Sequence, residues 1–136
     1  MGFEQDIALL SRVSLFRDFS VEQLRLLAFG IERQWFNAGQ ELFARGELSD
    51  GGYVVARGQI DIVAMRNDRE ILLDSCLEAA LIGEMALIAS NRRIATAVAR
   101  VNSEVMFVPR ALFHRMLREY PEMAMMLHHR ISQNVN

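Results

Sequence analysis

Between Gln34 and Val108 the chain is a succession of short β-prone runs broken by Gly39, Gly46, Gly51-Gly52 and Gly58. Glycine reaches positive φ without a Cβ penalty, so such positions mark corners at which an extended segment reverses. Ile60, Ile62 and Ala64 alternate with Asp61 and Val63, the period-two pattern of a half-buried strand. The polar pair Asn67-Asp68 then turns the chain into a second strand over 69–73, and Cys76 follows as a small apolar residue near a strand end. Short strands separated by glycine turns close into a sandwich, jelly roll or barrel. They do not build a βαβ sheet, which needs a long crossover between parallel strands.

Helical patterns bracket this middle. Ile7, Leu9 and Leu10 predict a short helix over 3–12. Ser20 and Gln23 form a Ser-x-x-Gln capping box ahead of Leu24, Leu26, Leu27 and Ala28, which predicts a second helix over 21–29. At the other end Pro109 opens a helix carrying Leu112, Phe113, Met116, Leu117 and Tyr120 at helical spacing. Tyr120-Pro121 interrupts it, and Met123, Met126, Leu127 and Ile131 mark another helix. No internal repeat or linker separates these parts, so a chain of 136 residues reads as one domain.

Charge and cysteine usage exclude several classes. Fifteen basic and 17 acidic side chains leave a net charge of -2, with neither the basic stripe of a nucleic-acid binder nor a polybasic membrane run. Cys76 stands alone, so no intrachain disulfide forms, and a reducing, cytoplasmic setting is expected. The start of the chain lacks the layout of a signal peptide, and no apolar run reaches membrane-spanning length.

The stretch from Ile82 to Ala97 carries the chemistry. Gly83 leaves its backbone open to a ligand and precedes a short apolar run expected to be helical, whose free N–H groups suit an anion. Glu84 is an acceptor-only carboxylate, matched to a sugar hydroxyl. Arg93, expected on an adjoining strand, can donate charge-assisted bonds to phosphate. Ala86 and Ala95 leave room beside it. A structural turn with a Glu84–Arg93 ion pair is the competing reading of the same residues.

The wider pattern resembles the cyclic nucleotide-binding domain family. Gly83-Glu84-Met85-Ala86-Leu87, a short loop, Arg93 and then Ala95-Thr96 are similar to its phosphate-binding cassette. Leu15 to Ser20 with Leu24, Phe36 to Phe43, and Gly46-Glu47 through Ser49, Asp50, Tyr53, Val54, Val55 and Gly58 follow the family's entry segment, early strands and turns. The resemblance spans roughly 12–120 and implies a mainly β fold with flanking α-helices. That fold is an eight-stranded, jelly-roll-like β-roll over 33–108, between N-terminal helices over 3–30 and C-terminal helices over 110–134.

It further implies that Gly83, Met85, Ala86 and Arg93 hold a cyclic phosphate and that Glu84 takes the ribose 2′-hydroxyl. Ile94 and Ala95 would approach the phosphate and purine, with Val54, Leu72 and Leu73 as weaker candidates for the base-pocket wall. Isoleucine at 94 offers no hydroxyl to guanine, which favours cAMP over cGMP as ligand. Leu77-Glu78-Ala79-Ala80 stands where the family carries a glycine-rich turn, and its good helix formers predict a helical path there.

The implied function is a non-catalytic sensor module, with no prosthetic group, whose C-terminal helices relay ligand binding. No helix-turn-helix, kinase or channel segment follows in this sequence, so the chain is expected to act on a separate protein partner, to form a homodimer through those helices, or to be a fragment of a larger protein. Met116, Met123, Met125 and Met126 are either a surface that repacks or plain helix core. The alternative is a protein-interaction domain that keeps the fold without a ligand. An enzyme is not expected: His114, His128 and His129 fall on the C-terminal helices, and adjacent 128 and 129 point to different faces.

Overall fold

The glycine-punctuated middle folds into eight strands in the computed structural model, which describes residues 2–135, with side chains through 130. The strands are β1 (Glu32–Phe36), β2 (Glu41–Phe43), β3 (Gly51–Arg57), β4 (Ile60–Arg66), β5 (Arg69–Cys76), β6 (Leu81–Ile82), β7 (Thr96–Ala99) and β8 (Ser103–Pro109). They pair antiparallel in two four-stranded sheets, β1-β8-β3-β6 and β2-β7-β4-β5. The result is a β-roll with helices at both ends. Asn67 and Asp68 take φ of 51° and 64° between the paired Arg66 and Arg69, the double positive φ of a tight two-residue hairpin.

Two cores explain the strand sequences. Inside the roll, Phe43, Tyr53, Val55, Ile60, Cys76, Ile82, Ala97, Val105 and Phe107 pack together. On the outer face of the first sheet, Val54, Met106 and Val108 pack against the helices through Leu10, Phe16, Leu27, Leu87 and Phe113. That double coverage makes β3 buried almost throughout, because alternate residues serve opposite cores.

The helices are α1 (Phe3–Ser11), α2 (Val21–Gly30), α3 (Arg110–Glu119) and α4 (Pro121–Val135). The capping box forms: Gln23 N donates to Ser20 Oγ at 3.1 Å and Ser20 N to Gln23 Oε1 at 2.9 Å. Pro109 caps α3 from outside, and Pro121 opens α4 as its first residue, where a missing N–H costs nothing. Met116 and Met123 are buried in the helical core and Met125 is exposed, while the Ile131 side chain lies outside the described residues.

Several expectations are corrected. The strand expected over 69–73 runs on to Cys76. The β4 alternation does not separate buried from exposed residues, because Asp61 is buried by bonds from Gln59 Nε2 (3.0 Å), Ser75 Oγ (2.8 Å) and Arg100 Nε (2.7 Å). These bonds outweigh the effect of burial and hold the Asp61 carboxyl below its ordinary value. Residues 77–80 are a turn, not a helix. Ala79 N donates to Val55 O (2.8 Å) and Val55 N to Ala80 O (3.0 Å), with Ala79 at φ 73°. Helix propensity amounts to tenths of a kcal/mol per residue and yields to these bonds, which extend the β3–β6 pairing.

Candidate functional site

Gly83 follows β6 at φ 82° and ψ 44°, a left-handed conformation, and opens the short helical segment expected there, a single 3-10 turn over Glu84–Leu87. A Cβ at this position would lie 2.7 Å from Arg93 Nη1, so any other residue would displace the guanidinium as well as strain the backbone at this φ. Arg93 sits in the loop before β7, not on a strand. Its main chain is fixed by Arg93 N→Glu47 O and Gly46 N→Arg93 O, both 2.8 Å.

The Arg93 side chain is only 8% exposed. Its Nη2 donates to Gly51 O at 2.8 Å, and its Cζ lies 4.1 Å from the Phe43 ring centroid and 5.8 Å from that of Tyr53. It forms no ion pair among the described residues. The Glu84–Arg93 ion pair of the competing reading is not among the ion pairs described. Burial holds the guanidinium below its ordinary pKa, while Tyr53, Asp50 and Glu47 nearby act in the opposite sense. A desolvated cation on an aromatic bed, with donors beyond the one used on Gly51, has the chemistry to take an anion.

A cavity of about 320 Å³ opens beside it, and Gly83, Glu84, Met85, Ala86, Arg93, Ile94 and Ala95 all line it. The structure thus brings together all seven residues of the cassette reading. Ile94 is 89% exposed at the rim, and Met85 is half exposed. The three proposed wall residues are not brought in. Val54 points into the helical core, because in β3 the neighbouring Tyr53 and Val55 take the inward positions. Leu72 and Leu73 are more than half exposed on β5, beside the irregularity where the pairing slips between Ile62 and Val63.

The wall is instead Phe43, Ile62, Asp74, Cys76 and Leu81, with Asn91 and Arg92 at the entrance. Inward alternation from Ile60 through Ile62 on β4 would have found Ile62. The pairing partners Asp74 and Cys76 needed the register of β5, which no local signal supplies. Arg92 Nη1 donates to Gly46 O at 2.9 Å, so it braces the loop.

Two α3 residues missed by sequence reasoning tie this segment to the helices. Arg110 Nη1 donates to Ala86 O (3.0 Å) and its Nη2 to Ser49 O (2.7 Å). His114 Nε2 meets Ile88 O at 2.7 Å, which makes that nitrogen the donor. These bonds join the carbonyls of Ala86 and Ile88 to the first turns of α3.

The model of the "Cyclic nucleotide-binding domain" family matches residues 33–120. The chain belongs to that family. A solved cyclic nucleotide-binding-like protein from Brucella abortus is 42% identical, covers 83% of this chain and 97% of its own, and superposes with a TM-score of 0.75. The regulatory domain of Toxoplasma gondii PKA, solved with cAMP, shares the fold at 19% identity and a TM-score of 0.78, over 84% of this chain and 44% of that one.

Among curated proteins, the lysophospholipase NTE1 of Chaetomium globosum is 30% identical over 83% of this chain. The chain spans only 7% of that relative's length, so the match covers the cyclic nucleotide-binding domain and not the whole enzyme. No helix among the described residues is long and apolar enough to cross a membrane.

Proposed function

We propose that this chain is a single, non-catalytic regulatory domain that binds a cyclic nucleotide, cAMP in preference to cGMP, in the cavity beside Arg93. The observation that carries the reading is Arg93 itself: a buried cation, packed on Phe43 and Tyr53 and without an ion pair among the described residues, faces a cavity whose entry glycine approaches it closely. In this reading Arg93 and the backbone at Gly83, Met85 and Ala86 hold the cyclic phosphate. Glu84 takes the ribose 2′-hydroxyl, and Ala95 with Ile94 flanks phosphate and purine. Ile94 offers guanine no hydroxyl, which supports the preference for cAMP.

Ligand binding then acts through the Arg110 and His114 bonds to the carbonyls of Ala86 and Ile88. It shifts α3 and α4 between two arrangements and so alters contact with a separate protein partner or a second copy of the chain. The lone, buried Cys76 thiol supports a reducing, cytoplasmic setting.

Isothermal titration with cAMP and cGMP tests the proposal. We expect cAMP to bind more tightly and Arg93→Ala to weaken it about 100-fold, the loss of charge-assisted bonds to a desolvated phosphate. Absence of binding by either nucleotide at millimolar concentration would favour the second reading, a protein-interaction domain without a ligand. Exposed apolar side chains, Ile94 and Met85 at the cavity and Leu72 and Leu73 on β5 away from it, support that alternative.

A further inference from the structure

Around Arg93 the chain runs extended against the loop between β2 and β3. Leu48 bridges to Arg92, Ser49 N donates to Asn91 O at 2.8 Å, and Arg93 N donates to Glu47 O at 2.8 Å. Residues two apart in an extended segment project to the same side. Asn91 therefore shares the side of Arg93, and both line the cavity. Arg92 between them turns its guanidinium back to Gly46 O.

A buried hydroxyl orients the Asn91 carboxamide. Ser49 is only 3% exposed, and its Oγ receives two donors, the Asn91 N–H at 3.3 Å and Arg110 Nη1 at 3.4 Å. Both lone pairs of Oγ are thereby taken, so its one proton goes to Asn91 Oδ1, 2.6 Å away. Oδ1 is thus turned to Ser49. The Nδ2 amino group, with two N–H donors, is presented away from it and finds no acceptor among the described residues. Ser49 is itself held, because Arg110 of α3 also donates from Nη2 to Ser49 O at 2.7 Å.

We propose that Asn91 is a second side-chain donor to the cyclic phosphate beside Arg93, and that Ser49 is the residue that positions it. This rests on the reading above that the cavity holds a cyclic nucleotide. Two N–H donors without an acceptor, on the side of the chain that carries the buried cation, match the exocyclic oxygens of a phosphate. Those oxygens offer more lone pairs than one guanidinium fills. Ser49 holds the carboxamide in place beforehand, so little side-chain freedom is lost when the ligand arrives. The bonds from Asn91 through Ser49 to Arg110 also join this contact to α3.

The test is titration calorimetry of cAMP with the wild type, Asn91→Ala, Asn91→Asp, Ser49→Ala and the Ser49→Ala/Asn91→Ala double variant. Asn91→Ala removes the donors and should weaken cAMP about tenfold, the usual scale of a hydrogen bond to a charged group. Asn91→Asp keeps an oxygen for the Ser49 hydroxyl, so it should melt as the wild type does. Its carboxylate faces the phosphate, and it should weaken cAMP more than the alanine does. A merely structural Asn91 would instead leave Asn91→Asp with wild-type affinity. Ser49→Ala should weaken cAMP in the wild-type background and add nothing to Asn91→Ala, since it acts through Asn91. Unchanged affinity in Asn91→Ala or in Asn91→Asp overturns the assignment, and equal losses from Ser49→Ala in both backgrounds overturn the positioning role.

Arg93→Ala separates the two levels of the reading. If it weakens cAMP while the Asn91 variants bind as the wild type does, the cavity reading stands and the Asn91 assignment falls. If the wild type binds neither cAMP nor cGMP, or Arg93→Ala is without effect, the cavity reading fails and this one with it. Melting curves establish that each variant is folded. Asn91 is exposed, so its two substitutions leave the core intact and carry the comparison should Ser49→Ala not fold.

Discussion

Replacing Gly83 by alanine perturbs the proposed phosphate clamp without removing a charge. At φ 82° an L-residue costs about 1 kcal/mol more than glycine. The added methyl would also lie 2.7 Å from Arg93 Nη1, well inside van der Waals contact. The guanidinium is the free end of a long side chain, so it moves in preference to the backbone. Moving it forfeits the 2.8 Å bond to Gly51 O and the stack on Phe43, but it also returns a buried cation toward water. In the unliganded protein these effects oppose one another, which leaves the backbone strain of about 1 kcal/mol and a fall in Tm of about 3–5 °C for a chain of this size. Affinity has no such compensation: a displaced guanidinium no longer meets the phosphate, and a charge-assisted bond of about 1.5–3 kcal/mol corresponds to a 10- to 100-fold rise in Kd for cAMP. Scanning calorimetry reads the first quantity and titration calorimetry the second. A lowered Tm with unchanged Kd would refute the argument that Gly83 exists to let Arg93 approach.

Three further outcomes are expected. Ala79 holds φ 73° in the turn before β6, so Ala79→Gly should stabilise the protein by about 0.5–1 kcal/mol, read from urea denaturation; a loss of stability would show that the turn is not strained. Burial, with Asp74 and Asp61 adding to it, pushes the Cys76 thiol up from 9.0 to about 11. A raised acid binds its proton more tightly folded than unfolded. Its contribution is therefore complete below pH 9.0 and lost as pH rises toward about 11, and Cys76→Ala should flatten that part of the denaturation profile. Arg110→Ala should cost about 1–3 kcal/mol through the unpaired carbonyls of Ala86 and Ser49 and speed amide exchange in the Glu84–Leu87 turn; unchanged exchange would mean that α3 does not restrain the turn.

The architecture was legible wherever the signal is local. Capping by Ser20 and Gln23, the hairpin at Asn67-Asp68 and the helix break at Tyr120-Pro121 are decided by short-range chemistry, and each stands where its residues place it. Gly83, Arg93 and their neighbours were singled out by the resemblance their stretch carries, since type and spacing alone fit a structural turn as well, and the fold lines one cavity with them. The turn at Leu77–Ala80 misled because local helix propensity is weak beside two backbone bonds to Val55, a residue distant in sequence.

What the sequence by itself determined is therefore the order of elements and the cation-bearing segment around Gly83 and Arg93. Which face each strand turns to that segment was a tertiary decision. Alternation says that Val54 and Val55 point opposite ways, but only the helices packed on the first sheet decide that Val54 leaves the cavity and Val55 enters the roll. The same holds for β5, where the slip in pairing beside Ile62 sets Asp74 and Cys76 inward and leaves Leu72 and Leu73 outside. A period of two fixes relative orientation along a strand, and the absolute orientation comes from register and packing against residues far away in the chain.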